Sequence, residues 1–158
     1  MPERERLVVV GNGMAGMACV EQILRYEPCF DITVFGDETH TNYNRVMLSS
    51  VLAGEKAAEE TVINPPEWYR HQGMTLHVGV RVESVDPLTR HVMGDDGGVT
   101  PYDKLLIATG SSPWMPPIEG LTRDGVFVFR TLDDTRELIH RSGRSTRAVV
   151  IGGGLLGL

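Results

Sequence analysis

The sequence has no long apolar run and only two cysteines among its 158 residues. A membrane-spanning helix needs about 18 consecutive apolar residues, and no segment approaches this length. The N-terminal residues 2–6 mix acids and bases and do not have the composition of a signal peptide. We therefore predict a cytoplasmic protein that does not partner a membrane.

The spacing of the two cysteines, Cys19 and Cys29, fits neither a metal site nor a redox pair. We expect both to be free thiols in a reducing compartment, with Cys19 buried in the core. The five histidines show no paired ligand spacing either, so no metal site is predicted.

Basic residues are outnumbered, with 15 Lys and Arg against 21 Asp and Glu, which gives a formal net charge of −6. This balance argues against nucleic acid as a partner. The hydrophobic content of 41% and charged content of 23% are ordinary for a globular chain. A length of 158 residues fits one domain with a little to spare.

The chain does have two glycine-rich turns, each directly after a short apolar run. Residues 11–16 follow the run 7–10, and residues 152–157 follow the run 148–151. Each pattern predicts a buried parallel strand, a tight turn and a helix whose first N–H groups face a phosphate. Since the second pattern ends one residue before Leu158, we expect the chain to be a fragment.

The first turn has the context of a dinucleotide-binding unit. A small-residue helix is predicted over 14–26 and a second strand over 32–35, which completes a strand–helix–strand unit. In such a unit Gly11 permits the tight turn, Gly13 lets a pyrophosphate approach the backbone, and Gly16 allows close helix packing.

An acidic residue is expected about twenty residues further on, where it accepts a hydrogen bond from a ribose hydroxyl. Asp37 lies 21 residues after Gly16, and Glu38 follows it. These two carboxylates are therefore the candidates for the ribose contact.

The remaining segments predict an α/β fold of the Rossmann-like FAD/NAD(P)-binding type: a central parallel sheet with helices and a small antiparallel hairpin layer. Strands are predicted at 75–78, 80–85, 104–108 and 126–129, and a hairpin at 91–100 with its turn at 94–98. Helical segments are predicted before Gly54, at 67–71, and from a capping box at Thr131 and Asp134 to about Arg141.

Two further segments carry a family resemblance. Residues 102–113, which contain Ala108-Thr109-Gly110, resemble the Ala-Thr-Gly segment of flavoproteins that bind two dinucleotides. Residues 43–50, Tyr-Asn-Arg-Val-Met-Leu-Ser-Ser, are similar to the segment after the second strand in ferredoxin and rubredoxin reductases. Their variant with Val and a doubled Ser resembles the large subunit of NAD(P)H-dependent assimilatory nitrite reductase, as do residues 113–118, 129–131 and 152–158.

The resemblance implies FAD at the first turn and NAD(P)H at the second. The FAD contacts that follow from the residues and the resemblance are Gly11, Gly13, Met14, Ala15, Gly16, Asp37, Glu38, Arg45, Val82, Ala108, Thr109, Gly110 and Arg130. The NAD(P)H contacts are Gly152, Gly154 and Gly157. No side chain is assigned as catalytic, because the flavin carries the redox chemistry.

The resemblance also implies a domain division and a wider reaction. Residues 1–144 would be a FAD-binding domain that lacks its C-terminal return segment, and residues 145–158 would begin a truncated NAD(P)-binding domain. In the whole protein, electrons from NAD(P)H would pass through FAD to iron–sulfur and sirohaem centres that reduce nitrite to ammonium. A small subunit is a possible partner, and the fragment alone is expected to be inactive.

Two alternatives stay open: a stand-alone NAD(P)H-dependent ferredoxin or rubredoxin reductase, and a non-catalytic nucleotide-binding redox module. Disulfide reductases are disfavoured, because the redox CxxxxC of the glutathione-reductase type is missing. Residues 42–44 are Asn-Tyr-Asn where the coenzyme A-disulfide type has a cysteine, so no thiol is expected beside the flavin.

Overall fold

The computed structural model describes residues 4–26 and 29–152, which fall into two units. The first unit comprises the described residues up to Tyr43 together with 62–110, and the second comprises 44–61 and 111–152. The described strands are β1 (Glu5–Val10), β2 (Phe30–Gly36), β3 (Thr75–Val78), β4 (Val82–Asp86), β5 (His91–Gly94), β6 (Val99–Pro101) and β7 (Lys104–Ile107). The described α-helices are α1 (Met14–Tyr26), α2 (Leu48–Leu52), α3 (Pro66–His71) and α4 (Leu132–Ser142).

The first unit is built on a parallel sheet with the strand order β3-β2-β1-β7. Its centre is β1, whose last four residues are all buried, as expected for a strand that is covered on both faces. In the register, Val10 lies opposite Phe35 on β2 and Ile107 on β7. The carboxyl ends of these three strands therefore lie side by side.

Side chains on the two faces of β1 belong to two different apolar clusters, because successive side chains of a strand point to opposite faces. Leu7 and Val9 pack with Met17 and Val20 of α1. Val8 and Val10 pack with residues of the antiparallel sheet β4-β5-β6, including the fully buried Val92. The α/β class with a small hairpin layer is therefore confirmed.

Helix α1 forms where it is predicted, but Cys19 does not lie on its buried face. Gly16, Met17 and Val20 are buried, whereas Cys19 is exposed and Tyr26 is 75% exposed. The prediction of a buried Cys19 is wrong, because the larger Met17 and Val20 take the side of the helix that faces the sheet. Both cysteines are free, as predicted.

Helix α4 of the second unit begins and ends as the sequence indicates. The hydroxyl of Thr131 accepts a hydrogen bond from the N–H of Asp134 at 3.1 Å, and the Asp134 carboxylate accepts from the Thr131 N–H at 2.8 Å. Gly143 follows as the C-cap. Helix α2, which follows a 3₁₀ turn (Arg45–Met47), packs against α4 within this unit.

Two predicted strands do not form among the described residues. Residues 126–129 have no regular secondary structure, and the Phe127 ring lies 5.8 Å from the guanidinium carbon of Arg141 on α4. Residues 148–151 are also unpaired there, with Val149 89% exposed. An apolar, β-branched pattern makes a strand only where a neighbouring strand supplies hydrogen bonds, and neither segment has one.

Candidate functional site

The turn after β1 can be made only with glycine at position 11. Gly11 has φ +112°, and its N–H donates to the carbonyl oxygen of Phe35 at 2.8 Å. A Cβ at this position would lie 2.2 Å from the carbonyl oxygen of Ala108. Backbone conformation and space both therefore require glycine here.

Gly16 is required by packing between α1 and the sheet. A Cβ on it would lie 2.8 Å from the carbonyl oxygen of Gly11 and 3.1 Å from the Cβ of Ala108. Because Gly16 has no side chain, the first turn of α1 can pack directly against the strand ends.

Gly13 differs from the other two glycines of the turn. Its φ is not positive, and apart from its chain neighbours no atom lies within 4 Å of where its Cβ would be. Nothing in the described chain therefore demands glycine at this position. The space is open beside the N-terminus of α1, whose first N–H groups, those of Met14 and Ala15 among them, have no acceptor within the helix. A cradle of this kind fits a pyrophosphate.

The Ala-Thr-Gly segment lies beside the glycine turn. It directly follows β7, and the Ala108 N–H donates to the carbonyl oxygen of Val10 at 2.8 Å. Thr109 and Gly110 are exposed, and Gly110 has φ +75°. The structure thus brings residues 108–110 together with Gly11 and Gly16 at one edge of the sheet.

The two candidate ribose acceptors differ in their surroundings. Asp37 comes directly after β2 and is exposed. Glu38 is half-buried, and its carboxylate accepts a hydrogen bond from the Tyr43 hydroxyl at 2.6 Å. Asp37 is therefore the better placed of the two to meet a ligand at the end of β2.

Val82 is the first residue of β4 and is half-buried against the cluster that contains Val10 and Phe35. The segment that leads to it runs past the acidic pair. The Gly79 N–H donates to the carbonyl oxygen of Glu38 at 2.9 Å, and the Val80 N–H donates to that of Gly36 at 3.0 Å. The structure therefore places residues 79–80, which lead into Val82, next to the acidic pair Asp37 and Glu38.

The other predicted contacts lie in the second unit. The Arg45 Nη1 donates to the carbonyl oxygen of Arg130 at 3.2 Å, and the Arg130 Nε donates to that of Ser111 at 3.2 Å. The two predicted arginines are thus neighbours within this unit. Gly152 has φ +127°, and Gly154 and Gly157 lie outside the described residues.

Sequence reasoning missed a contact that the turn makes with α3. The hydroxyl of Tyr69 donates to Oδ1 of Asn12, between Gly11 and Gly13, at 2.7 Å. Burial raises the pKa of Tyr69 to about 12, against the smaller lowering effect of hydrogen bonds from the Asn42 backbone and to Asn12. No motif spacing signals this pair, because its members lie 57 residues apart.

Residues 4–26 and 29–152 contain neither a metal-binding cluster nor a membrane-spanning helix. No group of three or more His, Cys, Asp or Glu side chains is arranged to hold a metal ion. No helix in this part of the chain is long and apolar enough to cross a membrane.

A parallel sheet, a glycine turn that opens the following helix, and an adjoining Ala-Thr-Gly segment together define a dinucleotide-binding domain of the flavoprotein type. The chain belongs to the pyridine nucleotide-disulphide oxidoreductase family, whose sequence pattern matches residues 5–158. Membership of this family of oxidoreductases implies binding of FAD and NAD(P)H.

Two curated relatives come from Bacillus subtilis. The chain is 44% identical over 157 residues to an assimilatory nitrate reductase electron transfer subunit, covering 99% of this chain and 20% of the relative. It is 42% identical over 156 residues to a nitrite reductase [NAD(P)H], covering 98% and 19%. The chain thus spans about a fifth of the length of these relatives.

Solved structures agree with the fold. A ferredoxin reductase from Rhodopseudomonas palustris matches with a TM-score of 0.91 at 26% identity, over 98% of this chain and 38% of that one. NADH:rubredoxin oxidoreductase from Clostridium acetobutylicum matches with a TM-score of 0.88 at 27% identity, over 98% and 40%.

Proposed function

We propose that this chain is the FAD-binding part of an NAD(P)H-dependent nitrite reductase large subunit. Its 42% identity to the Bacillus subtilis nitrite reductase and its 44% identity to the electron transfer subunit support this assignment. Within the proposal, residues 1–144 belong to the FAD-binding domain and residues 145–158 begin the NAD(P)-binding domain.

The observation that carries the proposal is the open space at Gly13. The fold itself accounts for Gly11 and Gly16, because a Cβ on either would come within 3 Å of backbone oxygen. It does not account for Gly13, which directly precedes the first N–H groups of α1, and a pyrophosphate that approaches the backbone at this place would give glycine a role there.

In the proposed complex the residues of this chain bind and orient the cofactor. The first N–H groups of α1 donate to the pyrophosphate, and the positive end of the helix dipole stabilises its charge. Asp37 accepts hydrogen bonds from the ribose, while residues 108–110 and the segment at Val82 line the rest of the site. Arg45 and Arg130 of the second unit are proposed as further cofactor contacts on the family resemblance of their segments.

The redox chemistry, hydride transfer from NAD(P)H and onward single-electron transfer, is supplied by FAD when it is bound. The proposed acceptors are iron–sulfur and sirohaem centres elsewhere in the protein, with nitrite as the final substrate. No side chain of this chain is needed as an acid or base.

A second candidate is an NAD(P)H-dependent reductase of ferredoxin or rubredoxin. The TM-scores of 0.91 and 0.88 to reductases of these two types support it, because they cover nearly the whole chain. The sequence identities are lower than those to the nitrite reductases, and for this reason we place it second.

The flavin proposal is tested by FAD titration of the purified protein and its Gly13→Val variant, followed by quenching of flavin fluorescence. Wild type should bind FAD, whereas the variant should not, because a branched side chain fills the space of the pyrophosphate. Gly143→Val is the matched control, since Gly143 also has open space and no positive φ. Equal binding by Gly13→Val and wild type would remove the site from this turn.

The acceptor is tested with the purified native protein, NAD(P)H and each electron acceptor in turn. Nitrite reductase predicts NAD(P)H oxidation that depends on nitrite and yields ammonium. Reduction of ferredoxin or rubredoxin without ammonium would favour the second candidate. A protein that binds FAD but does not oxidise NAD(P)H with any of these acceptors would be a non-catalytic nucleotide-binding module.

A further inference from the structure

We propose that Tyr69 is a positioning residue for the FAD site: its hydroxyl fixes the side chain of Asn12 and thereby the conformation of the glycine turn. The proposal rests on the function proposed above, since it takes FAD as the ligand of that turn. It assigns a role to α3, a helix that lies outside the dinucleotide-binding motif.

The hydroxyl of Tyr69 is buried and hydrogen-bonded to the glycine turn. Tyr69 is 1% exposed and packs in the cluster that contains Val9 and Met17. Its proton goes to Oδ1 of Asn12 at 2.7 Å, and the backbone of Asn42 lies beside its oxygen. Because burial raises the pKa of Tyr69 to about 12, this proton stays in place across the physiological range.

Asn12 is held at the centre of the turn. It lies between Gly11, with φ +112°, and Gly13, with its open space. A Cβ on Gly36, the last residue of β2, would lie 2.8 Å from the Cβ of Asn12. The Cβ of Asn12 therefore lies close against the end of β2, and its amide oxygen cannot turn away without losing the hydrogen bond from Tyr69.

The contact belongs to a larger polar network in the first unit. Nδ2 of Asn42 donates to Oδ1 of Asn64 at 2.6 Å, and Nδ2 of Asn64 donates to Oε1 of Glu21 on α1 at 2.9 Å. Asn42 and Asn64 are 2% and 4% exposed. The network thus connects the glycine turn, α3 and the side of α1 through buried amides.

The network is not optimal for stability. In the described part of the chain, the buried side-chain nitrogen and oxygen atoms without a hydrogen-bond partner are Nδ2 of Asn12 and Oδ1 of Asn42, and both belong to it. An apolar core would avoid these unpaired groups, which are unfavourable when buried. The network ends in the glycine turn that is proposed to bind the cofactor. Its unpaired groups indicate that its role is to fix the conformation of that turn rather than to add stability.

The test compares Tyr69→Phe with wild type in the purified protein. Phenylalanine keeps the ring packing but leaves Asn12 without its donor, so the FAD dissociation constant should rise about tenfold or more. Tyr102→Phe is the matched control: Tyr102 is also buried, at 7% exposure, but its hydroxyl makes only a 3.4 Å contact with the carbonyl oxygen of Asp86. The control should bind FAD within about threefold of wild type.

A second readout separates positioning from general stability. The ³¹P resonances of FAD bound at saturation report on the pyrophosphate and its cradle, and they should shift in Tyr69→Phe but not in Tyr102→Phe. Asn12→Ala should give the same shift, and adding Tyr69→Phe to it should change FAD affinity no further. Asn12→Ala also carries the test if Tyr69→Phe fails to fold.

The outcomes distinguish the two proposals. Wild type that binds no FAD overturns the proposed function of the turn, and the positioning role with it. Wild type that binds FAD, together with Tyr69→Phe and Asn12→Ala variants of unchanged affinity and unchanged ³¹P resonances, overturns the positioning role alone. A lower melting temperature without a ³¹P shift would mean that the Tyr69 hydroxyl is only structural.

Discussion

Gly11 and Ala108 interlock: the carbonyl oxygen of Ala108 occupies the place where a side chain on Gly11 would begin, 2.2 Å from the ideal Cβ position. The contact joins the turn after β1 to the segment after β7, two parts of the chain that the parallel sheet brings together. Substitutions here test the fold itself, whereas substitutions at neighbouring exposed positions test the ligand.

Gly11→Ala should destabilise the protein even when no cofactor is bound. The new methyl group collides with backbone and the φ of +112° becomes strained, so we expect a loss of about 3 kcal/mol or more in the free energy of unfolding. Denaturant unfolding of the apo-protein measures it. Gly97→Ala is the control, because Gly97 has φ +80° but open space around it, and it should lose about 1–2 kcal/mol. Equal losses would mean that the collision with Ala108 is relieved at little cost.

Asp37→Ala should weaken FAD binding by about 1–3 kcal/mol, because a ribose hydroxyl loses its charged acceptor. Stability without FAD should change little, since Asp37 is exposed. Isothermal titration of apo-protein with FAD measures the difference. Asp31→Ala removes the same charge from an exposed position on β2 five residues before Gly36, and it should leave the affinity unchanged. A similar loss in both variants would point to net charge rather than to a ribose contact.

Acid should destabilise the first unit through Asp103. Its carboxylate accepts three hydrogen bonds from Arg6, one from the backbone N–H at 2.8 Å and two from the guanidinium at 2.9 Å. These bonds hold the pKa of Asp103 well below its ordinary value in the folded state. The resulting stability is present above the unfolded pKa of about 3.9 and is lost as the pH falls toward the folded pKa.

This prediction is tested by measuring the melting temperatures of wild type and Asp103→Asn between pH 7 and pH 2. Wild type should be the more stable at pH 7, and the difference should shrink steadily below about pH 4. Asp31→Asn serves as the comparison, because the single 3.9 Å contact of Asp31 with Arg4 is long and exposed. A difference that is constant down to pH 2 would contradict the role of the Arg6 pair.

Thr131→Ala should destabilise α4 by about 1 kcal/mol, because the N–H of Asp134 loses its acceptor at the start of the helix. Thr131→Ser keeps the hydroxyl and should restore most of the loss. Hydrogen exchange of the α4 amides, read residue by residue, locates the effect. Unchanged protection in Thr131→Ala would show that packing against α2 determines the helix start.

Local signals predicted the elements that local interactions determine. The capping box at Thr131, the strand–turn–helix around Gly11 and the hairpin turn all form as predicted. Strand pairing depends on distant segments, and for this reason residues 126–129 and 148–151 were wrongly predicted as strands. The exposure of Cys19 was missed, since small residues alone do not tell which side of α1 meets the sheet.

The candidate site was predictable where a motif carries it. Spacing alone pointed to Gly11, Gly16 and Asp37, and the structure places Gly11 and Asp37 directly after the adjacent strands β1 and β2, with Gly16 in the first turn of α1. It could not point to Tyr69, because a hydrogen bond across 57 residues leaves no periodic trace. It also could not reveal that Glu38 is engaged by Tyr43 while Asp37 is exposed.

The open space at Gly13 separates two kinds of evolutionary constraint within one short motif. Architecture alone would preserve Gly11 and Gly16 in any descendant that keeps this sheet and helix. If the proposed function holds, Gly13 is preserved only by the bound dinucleotide, and it would drift to larger residues once that pressure ends. A homologue with a side chain at this one position can therefore be read as a scaffold that has lost its cofactor, and an engineer who wants such a scaffold should begin there.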